Sequence, residues 1–297
     1  MDKERQQAHL AVLMANVLFG VSYAAAKLLT GGFISSYGLN VCRILVSLPL
    51  FWILLLFKPS SPSIAKEDLP RFIICGLCGV TINQIMFLKG VSLTSTIHAS
   101  LLSLGTPIFI TAAAAWLLHE KLTRNKIFGL VFGLSGAALL MAKGSSHKPG
   151  DNIILGDIFI LINSISYAFY LVWVRPLMKK YNPIHVMRWV FVFGGLMILP
   201  FGWHDFMATD FSAFNSAAWG ALIVVALGAT FLAYLFNIYG LKTLGPAVTG
   251  SYIYSQPVFA TVIAISLLGE PFRWYHLLAA AMVFTGVWLV NKQQNQR

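Results

Sequence analysis

Apolar positions in this chain neither alternate nor form a single helical stripe. They come in long runs separated by short polar breaks. A helix needs about 20 residues to cross the hydrocarbon layer of a bilayer, and runs of that length recur from one end of the chain to the other. Ten spans are expected, at 9–29, 37–57, 70–90, 95–118, 125–142, 153–174, 184–203, 215–239, 245–268 and 274–291. The breaks carry turn chemistry, as in Pro59-Ser-Ser-Pro62 and Asn182-Pro183, and none is long enough for a soluble domain. Lipid offers the backbone no hydrogen bonds, so each run is expected to be helical and the protein all-α.

A second pattern lies over the first. Pro107, Phe109, Thr111, Leu117, Leu118, Glu120 and Gly136 are matched by Pro257, Phe259, Thr261, Leu267, Leu268, Glu270 and Gly286, each 150 residues further on. Gly90 and Gly240 pair at the same displacement. The chain therefore reads as a duplication, with a first repeat over 1–143, a linker over 144–152 and a second repeat over 153–297. Asn16 and Tyr23 recur at the spacing of Asn163 and Tyr170. That match keeps the first span as a helix of the repeat, although Lys3, Arg5 and the small residues at 24–26 imitate a cleaved leader.

The basic residues orient the spans. Of 21 Lys and Arg, three (Lys27, Arg43, Arg188) fall inside spans and four (Lys89, Lys143, Lys148, Arg273) in loops on one side, which leaves fourteen on the other. Positive charge accumulates on the cytoplasmic side, so both termini are expected there. Five helices per half is an odd number, so the second half enters from the opposite side and the repeat is inverted. Two such halves enclose a central cavity, and rocking one against the other opens it to alternate sides.

Composition agrees: 58% of residues are hydrophobic and only 10% charged. The net charge of +11 does not point to nucleic acid, because the basic residues are dispersed among the loops. Cys75 and Cys78 form a C-x-x-C inside an apolar run and are read as packing, not redox chemistry. No phosphate-binding glycine loop is present, so ATP drive is excluded, and no cofactor or metal-ligating set is visible.

The two Pro-x-Phe…Leu-Leu-x-Glu…Gly segments at 107–136 and 257–286, with Arg43 and Arg188 near the start of the second helix of each half, resemble the drug/metabolite transporter superfamily, in its EamA branch of paired five-helix units. The resemblance implies a ten-helix bundle around a cavity in the bacterial plasma membrane. It implies a carrier of small polar metabolites, with export of amino acids or related compounds as the expected activity. The partners it implies are a small-molecule substrate and membrane lipid. A monomer is expected, with a homodimer left open. A lipid- or drug-handling protein is the alternative class, and an intramembrane enzyme a more distant one, since no nucleophile–base set is visible.

Polar groups within spans mark candidate sites. Asn16 and Asn163, each two turns before Tyr23 or Tyr170, are read as cavity-facing; hydrogen bonding between helices is the competing reading. Pro107 and Pro257 are expected to kink the fourth and ninth helices beside Ser103 and Gln256. The carbonyls they free then face either the cavity or a neighbouring hydroxyl. Tyr167, Tyr170, Trp173, Tyr234 and Tyr252 are candidates to enclose an organic ligand, and Asn83, Gln84 and His98 to bind it. Arg43 with Glu270, and Arg188 with Glu120, are read as mirrored ion pairs that close alternate sides. Snorkelling and helix-end placement are the alternatives for these charges, and for Lys27. No Asp or Glu is seen near the middle of a span, so a carboxylate proton relay is not expected and His98 is left as the group for proton coupling.

Overall fold

The structure, a computed structural model, describes residues 3–57, 63–117, 124–143, 152–244, 249 and 252–291. Helix covers the described parts of the expected spans except at 95, 104–105 and 215, and no strand occurs among the described residues. Among the described residues six helical rods are long and apolar enough to cross a membrane: Lys3–Thr30, Ser36–Leu54, Lys66–Leu93, Ile153–Lys180, Pro183–Met207 and Ser216–Gly240. Thr96–Ile110, Ile127–Leu140 and Tyr252–Leu268 are apolar but shorter.

In chain order the helices are α1 (Lys3–Thr30), α2 (Ser36–Phe57), α3 (Leu69–Gly76), α4 (Asn83–Leu93), α5 (Thr96–Ser103), α6 (Thr106–Leu117), α7 (Arg124–Lys143) and α8 (Ile153–Lys180). They continue as α9 (Pro183–Met207), α10 (Ser216–Ile223), α11 (Ala233–Leu244), α12 (Gln256–Leu268) and α13 (Trp274–Asn291). Side-chain caps set several starts. Asn152, Asn182 and Asn215 accept backbone N–H groups from Leu155, Ile184 and Ala218, and Pro183 occupies the first turn of α9, where its missing donor costs nothing. Gly269 ends α12 in the left-handed conformation (φ 64°), which admits glycine without a steric penalty.

Two irregularities lie at corresponding points of the two halves. α3 runs into α4 through a π-helical stretch, Leu77–Ile82, and α10 into α11 through another, Val224–Leu232. The wider turn shifts the backbone donors by one residue, and a threonine hydroxyl supplements them. Thr81 Oγ1 donates to Gly76 O at 3.4 Å and Thr230 Oγ1 to Val225 O at 2.7 Å, each five residues back. Apolar periodicity does not reveal such a turn.

The packing order is itself paired. α2 packs on α9 and α7 on α13, like elements of the two halves. α1 packs on α11 and α12, as α8 does on α4 and α6. Glycines set the closest approach: a Cβ on Gly286 would lie 2.6 Å from Gly129 O and 2.8 Å from Gly133 N. Gly129, Gly133 and Gly136 thus lie where α7 packs on α13. Outside, large apolar side chains face outward on helix after helix, with Leu267 74% and Trp116 69% exposed. An exterior of that kind suits lipid, not water.

Candidate functional site

Polar side chains lie in the interior of the bundle, where each must find a partner or leave a donor bare. Asn16 on α1 is 1% exposed. Its amide donates to Val12 O, and its Oδ1 accepts from Gln256 Nε2 of α12 at 2.8 Å. Asn163 on α8 meets a different partner. Its Nδ2 donates to Asn83 O at 2.8 Å, while Asn83 Nδ2 donates back to Asn163 O at 3.3 Å, a reciprocal clasp joining α8 to α4. The two asparagines thus occupy corresponding helices without equivalent bonds, and Thr106, the counterpart of Gln256, donates to Ser103 O of its own turn instead.

That last bond answers the question posed by Pro107, which removes the N–H that Ser103 O would otherwise receive. Helix is interrupted at Leu104–Gly105, and the Thr106 hydroxyl takes up the freed carbonyl at 2.6 Å. Ser103 Oγ is spent on Ala99 O. Before Pro257 a short 3-10 turn, Tyr252–Ser255, makes the same break, with Ser255 Oγ donating to Tyr252 O. Tyr252 lies apart from the other aromatics, its hydroxyl 2.7 Å from His9 Nδ1.

Tyr167, Trp173 and Tyr234 pack against one apolar cluster that also holds Tyr170. The Tyr234 ring stands edge-on to Phe191 (5.3 Å) and Phe19 (6.0 Å), and Tyr167 lies 5.8 Å from Tyr170. Gly79, in the first π turn, leaves room for the Tyr170 ring, which a Cβ would meet at 2.4 Å. Tyr23 is buried against Phe87. Gln84 is buried, and neither end of its amide has a partner among the described residues.

The charges correct one expectation. Arg43 does not pair with Glu270. Its Nε donates to Thr230 Oγ1 at 2.8 Å, inside the second π turn, and its Nη1 is buried without a partner among the described residues. Glu270 is instead held by the first turn of α5, accepting Thr96 N at 2.8 Å and Ile97 N at 3.2 Å. A carboxylate at a helix N-terminus satisfies open donors and the helix dipole together, and so outcompetes a longer reach to Arg43. Arg188, fully buried, meets His185 Nδ1 at 2.8 Å and sits 4.7 Å above the Trp52 ring. Its expected partner Glu120 lies outside the described residues. Lys27 donates to Ser92 O and Thr94 O, the open carbonyls at the end of α4.

One acid toward the end of a span joins these charges. Asp157, one turn into α8, is fully buried and bonded to Thr94 and His98. Its place near a span edge hid it, although an acid inside a predicted span with no nearby base was the signal that could have found it.

A lipid-facing helical bundle with paired halves and polar side chains drawn into its centre defines a multi-pass membrane protein whose interior handles polar groups. The comparisons narrow that class: the EamA-like transporter family matches residues 6–142 and again 154–292, and the chain belongs to it. It is similar to "Uncharacterized transporter YetK" of Bacillus subtilis (24% identical, covering 99% of this chain and 89% of the relative). It is also similar to "Uncharacterized inner membrane transporter YicL" of Salmonella typhimurium (26%; 97% and 96%). A third relative is the "Probable terminal-alkyne amino-acid exporter" of Streptantibioticus cattleyicolor (25%; 76% and 74%). A chain of known crystal structure shares the fold at a TM-score of 0.64, with 18% identity over 98% of both chains.

Proposed function

We propose that this membrane transporter is an alternating-access carrier that exports amino acids or related small polar metabolites. In this reading ten spans form two inverted five-helix repeats, 1–143 and 153–297 joined by 144–152, with both termini cytoplasmic in a bacterial inner membrane. The observation that carries it is the paired packing: α2 against α9, α7 against α13, and α1 against α11 and α12 as α8 against α4 and α6. Elements exchanged by a two-fold operation are what two rocking halves require. The amino-acid exporter among the relatives supports the cargo. So does Arg43: its Nη1, buried without a partner among the described residues and close to Tyr234, is a donor for a substrate carboxylate.

Counterflow in proteoliposomes tests the reading. Vesicles loaded with unlabelled amino acids should accumulate labelled amino acid, and Arg43→Gln should abolish this. Failure of every amino acid to exchange would sink the cargo. Impermeant labelling of cysteines placed at residues 35 and 61 should find them on opposite faces; labelling from one face would sink the topology.

A further inference from the structure

Asp157 is a buried carboxylate that the transport reading leaves without a task. Its Oδ1 accepts the hydroxyl of Thr94, on the link between α4 and α5, and its Oδ2 lies 3.1 Å from His98 Nδ1 on α5. Three segments are thereby tied together at the α1–α2 loop end of the bundle. The His98 ring stands edge-on to His276 of α13 (centroids 5.4 Å apart, planes at 85°) and to Tyr275 (6.4 Å). His276 Nδ1 accepts the backbone N–H of Arg273, which fixes its own proton on Nε2. That Nε2 is buried without a partner among the described residues. Both imidazoles line a small recess of about 20 Å³, with Ser95, Ile153, Glu270, Pro271 and Tyr275.

The charges around this recess come from several elements. Lys27 of α1 donates to Thr94 O. Glu270, after α12, caps α5, and Arg273, before α13, is exposed. Lys27 and Glu270 are half-buried, whereas Asp157 and His98 are buried. With its imidazole neutral the buried His98–Asp157 pair carries one negative charge, and a single proton cancels it. A net charge enclosed in the interior is costly, more so within a membrane, so the proton-loaded form is the one that can be closed off from water.

We propose that His98 and Asp157 form a proton-binding site at this end of the bundle, and that the transporter is coupled to the proton it holds. His98 Nδ1–H donates to Asp157 Oδ2, and Nε2 takes the incoming proton. No other bond is made or broken. The loaded imidazolium–carboxylate pair holds α5 to α8, and loss of the proton restores the negative charge and admits water. The coupling, though not the proton site, rests on the carrier reading above.

Two measurements test it. The first needs no substrate. In purified protein with 15N-labelled imidazoles, titrated between about pH 5 and 8, one resonance should disappear in His98→Gln, and in the unmutated protein it should titrate. Asp157→Asn should change its proton affinity by about tenfold, one unit in midpoint. Thr94→Val, which keeps the carboxylate but removes the hydroxyl donating to it, should move the midpoint the opposite way, and serves if Asp157→Asn does not fold. A His98 resonance that does not titrate, or that neither substitution moves, overturns the site. The second measurement uses pyranine-loaded proteoliposomes given the amino acids found to exchange. A pH gradient should drive accumulation in the unmutated protein, and Asp157→Asn should keep gradient-free exchange while losing that drive. Exchange indifferent to the gradient overturns the coupling and leaves the carrier standing. Absence of any exchange overturns the amino-acid cargo and the coupling drawn from it, and the imidazole titration still decides the site.

Discussion

Glu270 Oε1 accepts the backbone N–H of Thr96 at 2.8 Å, so the acid of the second Leu-Leu-x-Glu motif caps a helix in the first half of the chain. Gly269 makes this possible by ending α12 with a left-handed residue and turning the chain back toward α5. Glu270→Ala leaves two N–H groups open and removes a charge favourable to the helix dipole. It should lower stability by about 1–2 kcal/mol, with Glu270→Gln intermediate, as read from thermal denaturation in detergent.

The contact of α7 with α13 sets a second test. A Cβ at Gly286 would fall 2.6 Å from a backbone oxygen, which cannot swing aside as a flexible side chain can. Gly286→Ala should destabilise by about 1–3 kcal/mol, and Gly286→Leu by more. At Gly220, where a Cβ meets nothing within 4 Å, alanine should be tolerated. Fluorescence-detected size-exclusion after graded heating distinguishes the three.

The π turns differ in what their threonines serve. Thr230 supports a guanidinium as well as its own backbone, whereas Thr81 bonds carbonyls only, those of Gly76 and Gly194. Thr230→Val should cost about 1.5–3 kcal/mol and Thr81→Val about 0.5–1.5 kcal/mol, with Thr230→Ser near the original. Equal losses on thermal denaturation would mean that the Arg43 bond contributes nothing.

Much of the architecture was legible in the residues. Apolar run length locates the helices, because lipid leaves the backbone no other way to satisfy itself. Proline placed the breaks before Pro107 and Pro257, since its missing N–H is a local fact. The partners of charged groups were not legible. Arg43 and Glu270 were matched by depth alone, but which donor a carboxylate meets depends on helix ends from distant segments, and α5 brought Thr96 closer. The π turns were hidden for a different reason: they alter the hydrogen-bond ladder without altering hydrophobicity. The burial of Asp157 is not legible either, because depth along one helix says little of burial when other helices cover its end.

Asn16 and Gln256 provide a measure of coupling between α1 and α12. Their side-chain bond, at 2.8 Å within the bundle, should give an interaction energy of about 0.6–1.7 kcal/mol in a double-mutant cycle of Asn16→Ala and Gln256→Ala. A value indistinguishable from zero would mean that the helices are held together by packing alone.

The same bond has no twin, because Thr106 turns inward to its own Ser103 where Gln256 reaches across to Asn16. A carrier made of identical halves would idle equally between its two orientations. Each unmatched bond of this kind, the Asn83–Asn163 clasp included, is worth about 1 kcal/mol, roughly fivefold in such a balance. In the carrier reading proposed above, such a bond gives two halves of shared scaffold an unequal preference between the two orientations.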